Sequence, residues 1–147
     1  MKATKAVWIT ATFVLAVSAL VSMSSCGGGG STPEGPNIDA LLKSGTWKVK
    51  TVTVNNTDNL SLFTGLTVTF TAANFASTNG DPVWPVAGTW TLNSATKTIT
   101  RGDGLTVTVG DGISETSLTL SLTWNKTTLG GGRTTSVAGN HIFTFGK

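Results

Sequence analysis

With 147 residues, a formal net charge of +3 and a charged fraction of 12%, the chain has room for one ordinary domain and offers no basic stripe for nucleic acid, whose phosphates need clustered Lys and Arg. Lys2 and Lys5 precede an apolar run, so the remainder holds eight basic side chains against seven acidic ones and is close to neutral despite a sequence pI near 9.3. Abundant Thr suits a sheet surface made of neutral β-formers rather than ion pairs.

Residues 1–25 have the layout of a secretory signal: basic Lys2 and Lys5, an apolar run from Val7 to Val21, then Ser22, Ser24 and Ser25 before Cys26. The run is short of the roughly 20 apolar residues of a membrane span, and no second hydrophobic segment follows. Met23-Ser24-Ser25-Cys26 resembles the lipobox of bacterial lipoproteins. That resemblance implies that Cys26 carries several acyl chains and becomes the first residue of the mature protein. Cys26 is the single cysteine, so it has no intramolecular disulfide partner, and acylation removes an oxidisable thiol from an exported chain. The plainer alternatives are a cysteine beside an ordinary cleavage site or in a retained anchor. One acyl chain holds marginally, at about 0.8 kcal/mol per buried methylene, and two or more hold stably.

Residues 26–36 form a tether, since Gly27 to Asn37 reads GGGGSTPEGPN without a hydrophobic residue. A flexible segment of this length spans about 17–20 Å. Glu34 is the lone acid in this tether just after the cysteine, where a surface-export mark in a lipoprotein would be an acidic cluster. The expected location is therefore the outer membrane, facing the periplasm.

The domain proper is 37–147. Asn37 to Gly45 predicts a short helix: Asn37 caps it, Asp39 lies in its first turn, Lys43 lies near its end, and Gly45 can close it. Ile38, Leu41 and Leu42 share one face. After Gly45 the period becomes two. Trp47 and Val49 differ in parity from Val52 and Val54, which predicts a bulge near Lys50 and Thr51. Further strands follow at Leu66 to Phe70, around Phe75, at Trp90 and Leu92, around Ile99, at Leu105 to Val109, at Leu118 to Trp124, and at Phe143 and Phe145. Asn93-Ser94, Gly102-Asp103-Gly104 and Gly110-Asp111-Gly112 supply tight turns. Eight strands joined by short connections predict an all-β fold, an eight-stranded antiparallel up-and-down barrel with the helix across one end; the alternative is a β-sandwich.

Leu42-Lys43-Ser44-Gly45-Thr46-Trp47, a short helix running into Gly-x-Trp, resembles the opening motif of lipocalins and of the lipocalin-like lipoproteins common in Bacteroidetes. Gly88-Thr89-Trp90-Thr91-Leu92, the hairpin through Arg101 to Leu105 and Gly132-Arg133-Thr134 extend the likeness. The resemblance implies that Gly45 and Trp47 form the closed base, with the indole beneath the helix. The chain lacks Tyr and hence the Thr-Asp-Tyr motif, which favours the shorter bacterial group over classical lipocalins.

The inventory for catalysis is thin. General acid-base chemistry needs a placed His or paired carboxylates, and the single imidazole, His141, shares a face with Phe143 and Phe145 and reads as a wall residue. No second His or free Cys completes a metal site with it, and no cofactor is implied. Asp103 and Asp111 sit in glycine turns where Asp serves turn geometry. Arg101-Gly102-Asp103 spells an adhesion tripeptide on a hairpin tip, with coincidence the better account. Gly130 to Arg133 lacks the rest of a phosphate loop. Trp84, held between Pro82 and Pro85, either folds over one end of the core or offers an indole platform to a sugar ring or flat ligand.

These readings favour a non-enzymatic, membrane-anchored barrel whose interior, lined by Phe70, Trp90, Val107, Leu120 and Phe143, with Trp84 near one end, binds a small apolar ligand. The alternatives are a structural or interaction module with a filled barrel and a carbohydrate-binding domain using Trp84. An open interior above roughly 300 Å³ marks the carrier; side chains meeting across the axis mark the interaction module.

Overall fold

A computed structural model describes residues 35–125 and 137–147. Cys26, the signal region, most of the tether, Lys126 and the Gly130 to Arg133 stretch lie outside the described residues. The helix α1 is Ile38–Leu42. It is shorter than the predicted span, because Lys43 caps its C-terminus and Gly45, at φ +149°, turns the chain into the first strand instead of closing the helix. Asn37 caps the other end as expected, its side chain accepting from the Ala40 amide at 3.1 Å.

Nine strands follow: β1 (Thr46–Val54), β2 (Thr57–Asp58), β3 (Thr67–Phe70), β4 (Asn74–Thr78), β5 (Ala87–Asn93), β6 (Thr98–Arg101), β7 (Thr106–Val109), β8 (Ser117–Trp124) and β9 (Gly139–Gly146). β1 and β3 to β9 pair antiparallel in sequence order, and β9 pairs back onto β1, closing an eight-stranded barrel. The sandwich alternative is excluded by that closure. β2 stands outside it, paired only with the end of β1 through Thr53↔Asp58 and Val54↔Thr57. Sequence period missed β2 because its two residues, both exposed, carry no alternation. What makes it is the turn: Asn55 and Asn56 adopt φ of 49° and 66°, the left-handed pair that a tight hairpin requires and that Asn tolerates.

The bulge falls where parity predicts it. Val49 pairs with Phe145 and Thr51 with Thr144, so Lys50 is the extra residue on β1. One added residue returns Val52 and Val54 to the inner face that Trp47 already occupies, and all three are buried. Elsewhere alternation is regular, with buried Val68 and Phe70 on β3, and Leu118, Leu120, Leu122 and Trp124 on β8. The outer face is hydroxyl-rich. Thr46 bonds Thr69 and Thr67 bonds Thr78 across strands, each at 2.8 Å.

Two features divide the barrel into ends. At the base lie α1, the start of β1, the end of β9 and the β5–β6 and β7–β8 turns; at the mouth lie β2, a 3-10 turn at Leu60–Phe63, the β4–β5 loop and the β6–β7 hairpin. Both ends send aromatic side chains inward.

Candidate functional site

The base is closed mainly by residues close in sequence, with Lys147 added from the end of the chain. Trp47 is fully buried and its indole Nε1 donates to the Leu42 carbonyl at 2.9 Å, tying β1 to the last turn of α1. Leu42 is buried beside it, and the ammonium of Lys147 lies 4.9 Å from the Trp47 ring centroid. Gly45 lets the chain reverse between these two groups.

The mouth is closed by residues far apart in sequence. Trp84 is not an exposed platform: its relative exposure is 0%. The backbone amide of Trp84 donates to the Gly80 carbonyl at 2.9 Å, and a Cβ on Gly80 would collide with that of Trp84, so the β4–β5 loop folds back tightly and drives the indole inward. Ser77 secures the return, its hydroxyl donating to the Pro85 carbonyl at 2.9 Å. The ring then packs edge-on against Phe75 at 5.7 Å and Phe143 at 6.2 Å. Phe75 stands on β4 and Phe143 on β9, which are not sheet neighbours. The indole thus joins two strands that are not neighbours in the barrel.

Arg101 holds the plug. Its side chain is 1% exposed; Nη1 donates to the Val83 carbonyl at 2.6 Å and Nη2 to Asp103 Oδ2 at 2.6 Å. The guanidinium carbon lies 5.2 Å from the Trp84 ring and 5.6 Å from Phe75, within cation–π range. A buried charge is tolerated only when it is paired and hydrogen-bonded, and Asp103 supplies the counter-charge from the hairpin. The Arg101-Gly102-Asp103 triplet is accordingly not displayed at the tip: its arginine points into the barrel.

The five predicted lining residues all face inward. Phe70, Trp90, Val107, Leu120 and Phe143 are each buried at 5% exposure or less. Three of them meet aromatic partners in the interior: Phe70 meets Trp90 at 5.1 Å, and Phe63, from the 3-10 turn, meets Phe143 at 5.1 Å. Trp90 turns its Nε1 to the Thr71 and Asn74 carbonyls at the β3–β4 turn, both at 3.1 Å. His141 is fully buried, its Nδ1 3.0 Å from the Gly139 carbonyl and its ring stacked 5.7 Å from Phe143. Burial pushes its pKa below the ordinary 6.5, with the Gly139 bond opposing the shift. Among the described residues its Nε2 has no hydrogen-bond partner, nor do Trp84 Nε1 and Arg101 Nε. The neutral imidazole is a wall group wedged between rings.

Clefts occur on the outside. One of about 470 Å³ runs over the outer face of β7 to β9, lined by Thr106, Thr108, Ser121, Thr123, Asn140 and Ile142. Another of about 420 Å³ lies beside the mouth against Pro85, Gly88 and Asp103. The β7–β8 turn carries Asp111, whose carboxyl is held below its usual range by the ammonium of Lys97, 2.6 Å away. No group of three metal-ligating side chains occurs among the described residues.

The chain matches no family model, no curated protein and no solved structure. The likeness to lipocalin-like lipoproteins therefore rests on residues 42–47 and the other quoted segments.

Parity could have revealed the mouth. Arg101 lies two residues beyond Ile99, and Ser77 two beyond Phe75, so both share the inner face of their strands. Phe63 gave no such signal, since its turn has no strand period.

Proposed function

We propose that the protein is a lipid-anchored envelope module, non-catalytic, whose barrel is filled and whose interactions run through its outer face and loops. The observation that carries this reading is the Phe75–Trp84–Phe143 chain of rings, which joins two non-adjacent walls. A carrier of a small apolar molecule needs an open interior of roughly 300 Å³ or more, and here indole and guanidinium occupy the axis. The carbohydrate reading loses its platform for the same reason, because Trp84 has no exposed face.

The anchored reading rests on the signal-like layout and the lipobox-like Met23 to Cys26 segment. Outer-membrane attachment facing the periplasm is the reading that fits the single acid, Glu34, after the cysteine. The lipocalin-like motif at Gly45 and Trp47 fits a scaffold inherited with its base intact and its chamber closed.

Native mass spectrometry of the full-length protein, extracted from its own envelope, tests both halves. An acylated N-terminus at Cys26 with no further bound mass is the expected result. A reproducible co-purifying small molecule released on unfolding would restore the carrier, and an unmodified cysteine would remove the anchor.

A further inference from the structure

Among the described residues, charge is distributed unevenly along the barrel axis; Lys126 and Arg133, in the connection from β8 to β9, lie outside them. All five described lysines, Lys43, Lys48, Lys50, Lys97 and Lys147, lie on base elements or the base half of β1, where the acids are Asp39, Asp111 and Glu115. At the mouth, among the described residues, Asp58, Asp81 and Asp103 face one arginine, Arg101, which is buried. Lys43 and Lys97 are matched by Asp39 and Asp111 at 2.7 and 2.6 Å. Lys48, Lys50 and Lys147 have no carboxylate partner among the described residues, and all three adjoin the end of β9. Lys48 pairs with Gly146 in the sheet, and the Lys50 stem crosses that glycine so closely that a Cβ there would lie 2.7 Å from Lys50 Cε. Lys147 follows directly, with its ammonium 2.6 Å from Ser44 Oγ.

The tether joins the domain at this same end. Gly35, Pro36 and Asn37 lead into α1 and line one cleft with Ile38, Lys97 and Asp111. By composition alone, a Gly/Ser/Pro stretch of the length from Cys26 to Gly35 reaches about 15–18 Å as a coil, and the field of a charged surface decays over about 10 Å at 0.1 M salt. The lysines sit where such a field acts, whereas the aspartates of the mouth lie a barrel length away.

We infer that the lysine-bearing base docks on an anionic lipid headgroup surface, setting the barrel upright with its mouth away from the membrane. This rests on the anchored reading given above for Cys26. The bulge at Lys50 acquires a purpose beyond parity: it brings the Lys50 stem over Gly146 beside Lys48 and Lys147. Each lysine near an anionic surface contributes about fivefold in partitioning, so three uncompensated ones suffice for a weak, salt-sensitive contact that the tether makes effectively intramolecular.

The domain from Pro33 onward closes its own sheet and holds its own core, so its unlipidated form can be tested against vesicles. Vesicles containing phosphatidylglycerol should bind it, and pure phosphatidylcholine vesicles should not. A Lys48→Gln, Lys50→Gln, Lys147→Gln variant should lose at least about tenfold of that binding with an unchanged melting temperature, while Asp58→Asn with Asp81→Asn should not weaken it. Binding that ignores the lysine substitutions, or no preference for the anionic vesicles, overturns the inference. If the triple variant melts early, each single Lys→Gln variant is measured instead, and an absence of any cumulative loss has the same meaning. Acylation of Cys26 is read separately by intact mass, so loss of docking with an acylated protein refutes the inference alone, and docking by a chain never acylated refutes the anchor alone.

Discussion

The two ends of the barrel are each closed by a buried tryptophan, but they are built by different means. At the base, Trp47 donates to a carbonyl five residues away, and helix, turn and strand are consecutive. At the mouth, Trp84 is seated by Arg101 from two strands later and by Phe143 on β9. A local seal forms with its own segment and is worth one hydrogen bond and its packing. A long-range seal couples three strands, β4, β6 and β9, so its removal should be felt across the whole sheet.

The largest expected effect is therefore at the mouth. Trp84→Ala should cost about 3–5 kcal/mol in chemical denaturation, the range for deleting a large core aromatic whose cavity cannot collapse. Arg101→Ala should follow at about 2–3 kcal/mol, below the 3–5 of a fully buried pair because Asp103 stays within reach of water. If either mutation costs less than Trp47→Phe, the contrast between the ends is wrong. That base substitution removes the indole bond to Leu42 and trims part of the buried ring, and should cost about 1–2 kcal/mol. Asn37→Ala, which removes the cap of α1, should cost about 1 kcal/mol.

The same contrast explains what could be read from the chain. Helix caps, Gly45-Thr46-Trp47 and the Lys50 bulge involve neighbours in sequence, so their geometry is written in spacing. The eight barrel strands were legible for the same reason, because period two is a local property and each connection carries its own turn residues. The filling of the barrel was not. Whether Phe70, Trp90 and Phe143 line a chamber or pack solidly depends on where Trp84 goes, and a Pro-bracketed loop gives no inward or outward parity. The inward parity of Arg101, two residues after Ile99, was legible, but its bond to the Val83 carbonyl was not, because that carbonyl lies on a loop with no strand period.

A subtler comparison concerns titration. His141 is buried with its pKa lowered from 6.5, so the unfolded chain takes up a proton before the folded one does as pH falls. Its contribution to stability is full above about pH 6.5, declines below that value, and levels off once the folded imidazole itself is protonated. His141→Phe, which keeps an aromatic ring between Phe63 and Phe143, should flatten this part of the stability profile measured by denaturant midpoints. The Asp111 carboxylate, exposed at the base, should leave no comparable mark.

The most direct test of a filled interior is a thermal shift with indole as a probe of space. The wild type should show no shift, because its own Trp84 occupies the site, while Trp84→Ala should be stabilised by indole entering the vacated volume, as small aromatics enter engineered apolar cavities. Equal stabilisation of the wild type would mean that a chamber already exists, and would contradict the account.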